Sequence, residues 1–166
     1  MNKDAEEIVE LLGMTRHPEG GYFKEVYRSE EMIPGSALPE RYSGARCSGT
    51  SIYFLLCGDQ KSHLHRIKSD ETWHYYKGSS LRLYVITPEG EMKIHLLGSN
   101  FKNKELPQIT IEHGSWFGAE VCDEDSYTLV GCTVAPGFDY NDFELARREN
   151  LLIDYPQHKE IINLLT

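Results

Sequence analysis

Short runs of alternating apolar and polar residues organise most of this chain. Leu81 to Thr87 sets Leu81, Leu83, Val85 and Thr87 against Arg82, Tyr84 and Ile86. Pro88-Glu89-Gly90-Glu91 is a turn, and Met92 to Leu97 alternates back, which predicts an antiparallel hairpin. Thr50 to Leu56 is continuously apolar, β-branched and aromatic, the pattern of a buried central strand. Further strands are predicted over 108–112, 116–121 and 126–134, each bounded by turn residues. In Tyr22 to Arg28 a period of two places Phe23, Glu25 and Tyr27 on one face and Tyr22, Lys24, Val26 and Arg28 on the other. Many short strands without intervening long helices predict an all-β sandwich or barrel.

Helical spacing is confined to the ends. Asp4 with Glu7 can cap a short helix carrying Ile8, Leu11 and Leu12, with Gly13 as its stop. Asn141 with Glu144 gives a second capping signal for a helix through Phe143, Leu145 and Ala146, and 160–165 is apolar at helical spacing. Residues 29–49 hold Pro, Gly and Ser without periodicity and are predicted to form a loop able to act as a flap.

Composition narrows the choice of partner. A length of 166 residues suits one domain over 1–166, and a net charge of −9 opposes binding to nucleic acid or to an anionic membrane. The longest uncharged apolar run, from Ile52 to Cys57, is far below the roughly 20 residues a bilayer needs. An acidic N-terminus and scattered Cys47, Cys57, Cys122 and Cys132 predict a cytoplasmic protein with reduced, packing thiols.

Candidate chemistry concentrates in 58–78, where His63, His65, Glu71 and His74 lie close in sequence. In a regular strand His63 and His65 share a face, with backbones roughly 6 to 7 Å apart, and suit one metal ion. Glu71 could add a carboxylate oxygen, and that donor set suits Zn, Mn, Fe or Ni. The same groups also suit a general base and the residue that orients it. His74 falls on the opposite face from Glu71, Trp73 and Tyr75, and is predicted to be a packing histidine.

The stretch from Gly58 through His63, His65 and Glu71 to Gly78 resembles the first motif of the cupin superfamily. E-G-G-Y-F at 19–23, S-I-Y-F-L-L at 51–56 and V-A-P-G-F at 134–138 resemble one branch of it, cupin family five, a domain of unknown function. The spacing departs from the usual motif, with four residues between Gly58 and His63 and five between His65 and Glu71. In the place of the second motif stands E-H-G-S-W-F, with Phe117 where the family has a metal-binding His.

The resemblance implies a double-stranded β-helix, or jelly-roll barrel, with short N- and C-terminal helices, assembled as a homodimer. It also implies a mouth cavity containing His63, His65 and Glu71 and walled by Tyr27, Tyr53, Trp73, Trp116 and Phe138. The cavity is expected to take a small sugar-like or nucleotide-like ligand, with either one divalent transition metal on His63, His65 and Glu71 or none. The leading expected activity is that of a sugar or carbonyl-metabolite isomerase or epimerase with His65 and Glu71 catalytic. Its rivals are a non-catalytic small-ligand-binding protein and a metal-dependent oxygenase.

Overall fold

The computed structural model describes residues 2–166 and is mainly β-sheet. One sheet has six strands in the order β1 (Thr15–Arg16), β2 (Tyr22–Arg28), β5 (Thr50–Cys57), β12 (Tyr127–Ala135), β7 (Asp70–Gly78) and β10 (Gln108–Ile111). A second has five, in the order β13 (Glu144–Leu145), β6 (Lys61–Arg66), β11 (Trp116–Val121), β8 (Leu81–Ile86) and β9 (Met92–Leu97). A small ladder joins β3 (Met32–Ile33) to β4 (Arg46–Cys47). All these pairings are antiparallel, so each long strand sends alternate side chains to opposite faces. The predicted strands fall within a residue or so of these bounds.

The main core packs Phe54 and Leu56, Trp73, Leu81 and Leu83, Phe117, Val130 and Cys132 against one another. Trp73 bridges the sheets, with its ring 5.5 Å from Phe54 and 6.4 Å from Phe117. Burying such side chains contributes about 1.5–3 kcal/mol each. Behind the five-stranded sheet, α2 (Arg148–Asp154) and α3 (Lys159–Leu164) bury Leu151 and Ile162 on Leu64, Tyr84, Ile86 and Trp116. Behind the six-stranded sheet, α1 (Lys3–Leu11) covers Tyr22, Leu55, Cys57 and Tyr127.

Three local expectations changed in the fold. The cap of α1 is Asn2, whose side chain accepts the Asp4 N–H, so the helix begins before the capping signal read at Asp4. No helix forms over 141–146: Asp139 accepts the Asn141 N–H in a short 3-10 turn, and Glu144 and Leu145 then pair with Arg66 and His65 on the edge of β6. An open strand edge offers backbone partners that the capping pattern could not anticipate.

The third change is in 29–49, which is pinned rather than free. Arg46 is buried and makes a two-point contact with buried Asp142, Nε to Oδ2 at 2.7 Å and Nη2 to Oδ1 at 2.6 Å. All four cysteines are free thiols, and no helix among the described residues is long and apolar enough to cross a membrane.

Candidate functional site

The site is built by one tight turn and two irregularities in strand pairing. In the turn His17-Pro18-Glu19-Gly20-Gly21, the Gly20 N–H donates to the His17 carbonyl at 3.0 Å and the His17 N–H to the Gly21 carbonyl at 3.1 Å. Both glycines have positive φ, and a Cβ on Gly20 would stand 2.1 Å from the Lys61 carbonyl oxygen, so only glycine fits there. This close approach carries Glu19 against β6.

In β6 the register with β11 slips: Phe117 faces His65 but Ala119 faces Ser62, so three steps on β6 oppose two on β11. Such a bulge breaks the period of two. Ser62 and His65 therefore both meet Glu19, while His63 is left exposed with its Nδ1 2.8 Å from the Glu19 carbonyl oxygen. A second slip, between Glu25 and Tyr27 against β5, turns Arg28 to the cavity beside Glu25 and leaves Tyr27 56% exposed.

The resulting cavity has a volume of about 70 Å³ and opens to solvent. Its wall is largely apolar, with Phe23, Ile52, Phe54, Ile67 and Val134 inside and Phe138, Tyr140 and Phe143 also lining it. Its polar groups are His17, Glu19, Glu25, Arg28, Thr50, His65, Glu71 and Cys132. Of the predicted site residues, His65, Glu71 and Phe138 come together here. Trp73 lies in the core, and Tyr53 and Trp116 sit behind the sheets, Tyr53 against Tyr76 and Trp116 under the Arg66 guanidinium. His74 faces away from the cavity and contacts the Thr133 hydroxyl, Nε2 to Oγ1 at 3.2 Å.

Four titratable groups form one electrostatic unit. The Ser62 hydroxyl donates to Glu19 Oε1 at 2.8 Å, and Glu19 Oε2 lies 3.0 Å from His65 Nε2. His65 Nδ1 donates to the His63 carbonyl at 2.8 Å, which turns Nε2 toward the carboxylate. Burial disfavours a charge on either partner, but their mutual attraction outweighs it: the Glu19 carboxyl is held below its ordinary value and the His65 imidazolium above its own.

His17 differs from His65. Its Nδ1 accepts the Glu19 backbone N–H at 3.3 Å, so the 3.3 Å approach to Glu19 Oε2 brings two acceptors together and is not an ion pair. Burial, more than any charge, lowers the His17 value.

Burial pushes Glu71 up to about 7, with the Glu19 charge adding to the effect and His65 opposing it. The Cys132 thiol and the Trp73 indole N–H lie close enough to favour its carboxylate. Neither is aligned as a hydrogen bond, however, and Trp73 Nε1 is a buried donor without a partner.

A metal ion does not fit these residues well. Among the described residues no group of three or more His, Cys, Asp and Glu side chains is arranged to hold one. His63 is turned out by the bulge, and Phe117 packs on the His65 ring at 4.1 Å. Sequence reading missed His17, Glu19 and Arg28. The E-G-G signal held Glu19, but only as part of a turn.

Gly118 makes the bulge possible, because a Cβ there would lie 2.7 Å from the Ser62 carbonyl oxygen and 3.2 Å from the Leu64 nitrogen. Gly118→Ala is expected to lose about 1–3 kcal/mol of stability in urea titration, as overpacking against backbone does. A loss below 0.5 kcal/mol would mean that the strand relaxes around the added methyl group.

Comparison with known proteins follows the fold. The family model for the Cupin superfamily (DUF985) matches residues 6–146. Protein SO0799 from Shewanella oneidensis is similar in structure at a TM-score of 0.88 and 39% identity, covering 100% of this chain and 98% of its own. An uncharacterized Saccharomyces cerevisiae protein, YML079W, is 24% identical over 155 residues, which cover 89% of this chain and 77% of the yeast protein. Oxalate decarboxylase from Bacillus subtilis is distantly similar in fold, with a TM-score of 0.55 and 18% identity over 91% of this chain and 36% of that one.

Proposed function

The chain belongs to the cupin superfamily, in its DUF985 family, and on that footing we propose that it binds a small molecule in the cavity around His65 and Glu71. The observation that carries this reading is the cavity itself: an apolar wall holding a few convergent polar groups, one of them a buried carboxyl with no aligned partner. Its volume of about 70 Å³ is roughly half that of a cavity able to hold benzene. It receives the head of a ligand, and a sugar-like or nucleotide-like molecule would leave its remainder at the mouth. The barrel closure, single domain and homodimer expected of the superfamily go with this reading.

A metabolite screen read by thermal unfolding tests it. A true ligand at about 100 times its Kd is expected to add about 2.7 kcal/mol, or roughly 5 to 10 °C for a chain of this length. It should be recovered chemically unchanged, and its effect should disappear in His65→Ala. Equal protection of wild type and variant would place binding elsewhere.

One observation favours a second reading, proton transfer on the bound molecule. Glu71, with a value of about 7, shares the cavity lining with the His65–Glu19 pair, and such an acid both gives and takes a proton near neutrality. An isomerase or epimerase would use Glu71 and His65 in these roles. Deuterium entering the recovered ligand from heavy water would establish that reading over simple binding.

A further inference from the structure

The charges of the cavity say which ligand head it suits. Glu19 is neutralised by His65 at 3.0 Å. Arg28 is the lining's one Lys or Arg side chain, and it is held by Glu25 at 3.0 and 2.7 Å and by the Phe138 carbonyl at 3.1 Å. Burial disfavours a charge on His17. That leaves Glu71, 8% exposed and without an aligned donor, as the group whose charge is unmatched. An anion entering here would meet the Glu71 carboxyl, with the His65 and Arg28 cations already engaged by Glu19 and Glu25.

Three of the rings that line this cavity cluster together. Phe138 and Tyr140 have centroids 5.0 Å apart at 83°, Phe138 and Phe143 are 6.2 Å apart at 63°, and Tyr140 and Phe143 are 6.2 Å apart at 76°. Rings set across one another form the corner of a box, and the negative face of a ring attracts a cation, by about 2 kcal/mol when both are desolvated. A net charge of −9 draws cations toward the protein from solution.

We propose that the cavity takes the ammonium head of a small organic cation, between the Glu71 carboxylate and the rings of Phe138, Tyr140 and Phe143. This rests on the small-molecule reading above and narrows it. A primary or lightly methylated amine supplies the N–H donors that Glu71 lacks and a compact charge that suits the small volume. A free metabolite and the amine end of a larger molecule share this chemistry.

The test uses three probes of similar size on the full chain at pH 8: isopropylammonium, isopropanol and acetate, with binding measured by ligand-observed nuclear magnetic resonance. Isopropylammonium is expected to bind at least about tenfold more tightly than isopropanol, with acetate undetected. Glu71→Gln, which keeps shape and fold, should erase that preference, and Phe143→Leu should reduce it. If isopropanol or acetate binds as well as the amine, the cation assignment falls while the small-molecule reading stands. Failure of all three probes at millimolar concentration overturns the cation assignment, and the metabolite screen alone then decides the small-molecule reading.

Discussion

Glu71→Gln is expected to make the protein more stable, by about 3 kcal/mol at pH 8 and by far less at pH 5. The folded carboxyl titrates at about 7 against an ordinary 4.5. Between those values the folded protein keeps a proton that the unfolded chain has released. Stability therefore falls as pH rises through this window, by about 1.4 kcal/mol per unit, and the loss is complete above 7. Glutamine does not titrate and escapes that loss.

Two neighbours also shape the wild-type profile. His65, raised, contributes stability present below its ordinary 6.5 and lost as pH climbs through its folded value. Glu19, lowered, contributes stability present above 4.5 and lost as pH falls through its folded value. Because His65 draws part of its shift from Glu71, the cluster titrates as a unit, and the informative quantity is variant minus wild type at each pH. Thermal unfolding should show a gain of roughly 6 to 12 °C at pH 8. The same gain at pH 5 would remove the titrating carboxyl as its cause. A gain confined to high pH would identify Glu71 as a group carried at a cost to stability.

Asp142→Ala is expected to lose about 3–5 kcal/mol, because it leaves the Arg46 guanidinium buried without its counter-charge. Both residues are nearly closed to solvent, at 5% and 6% exposure, and Lys68 Nζ is a further 3.6 Å from Asp142. The pair ties 29–49 to the segment carrying Tyr140 and Phe143, so the variant should also weaken ligand binding. Replacing both partners, Arg46→Met with Asp142→Leu, should recover most of the stability, since no charge is then stranded. Urea titration of the two variants decides the matter. A single variant that loses less than 1 kcal/mol would show that water reaches Arg46 readily.

The strands were legible because successive side chains go to opposite faces: Leu81, Leu83 and Val85 enter the main core, while Tyr84 and Ile86 pack under the C-terminal helices. The site was legible only where strands run regularly. Glu71 and Trp73 share a face as their spacing requires, and Thr50, Ile52 and Phe54 lie on the same side of the sheet, which sends Tyr53 behind it. Trp116 follows the same rule against Phe117. Spacing failed at the two bulges, because an extra residue shifts the face of everything beyond it and leaves no mark in composition. That is how Arg28 entered the cavity in place of Tyr27, and how His63 left it. Glu19 and His17 were hidden for another reason: a turn near the N-terminus reaches β6 only through tertiary contact.

The bulge at 62–65 separates the spelling of this site from its shape. His63 occupies the added position, and its backbone still serves the site: its N–H donates to the Glu19 carbonyl at 2.7 Å and its carbonyl accepts from His65 Nδ1 at 2.8 Å. Of the two paired histidines only His65 lines the cavity, while His63 holds the turn and the ring from outside it. Loss of one residue from the strand would turn the wall inside out. An H-x-H spelling is thus no measure of which imidazole meets a ligand: the spacing that puts two rings on one face of a regular strand puts one inside and one outside here.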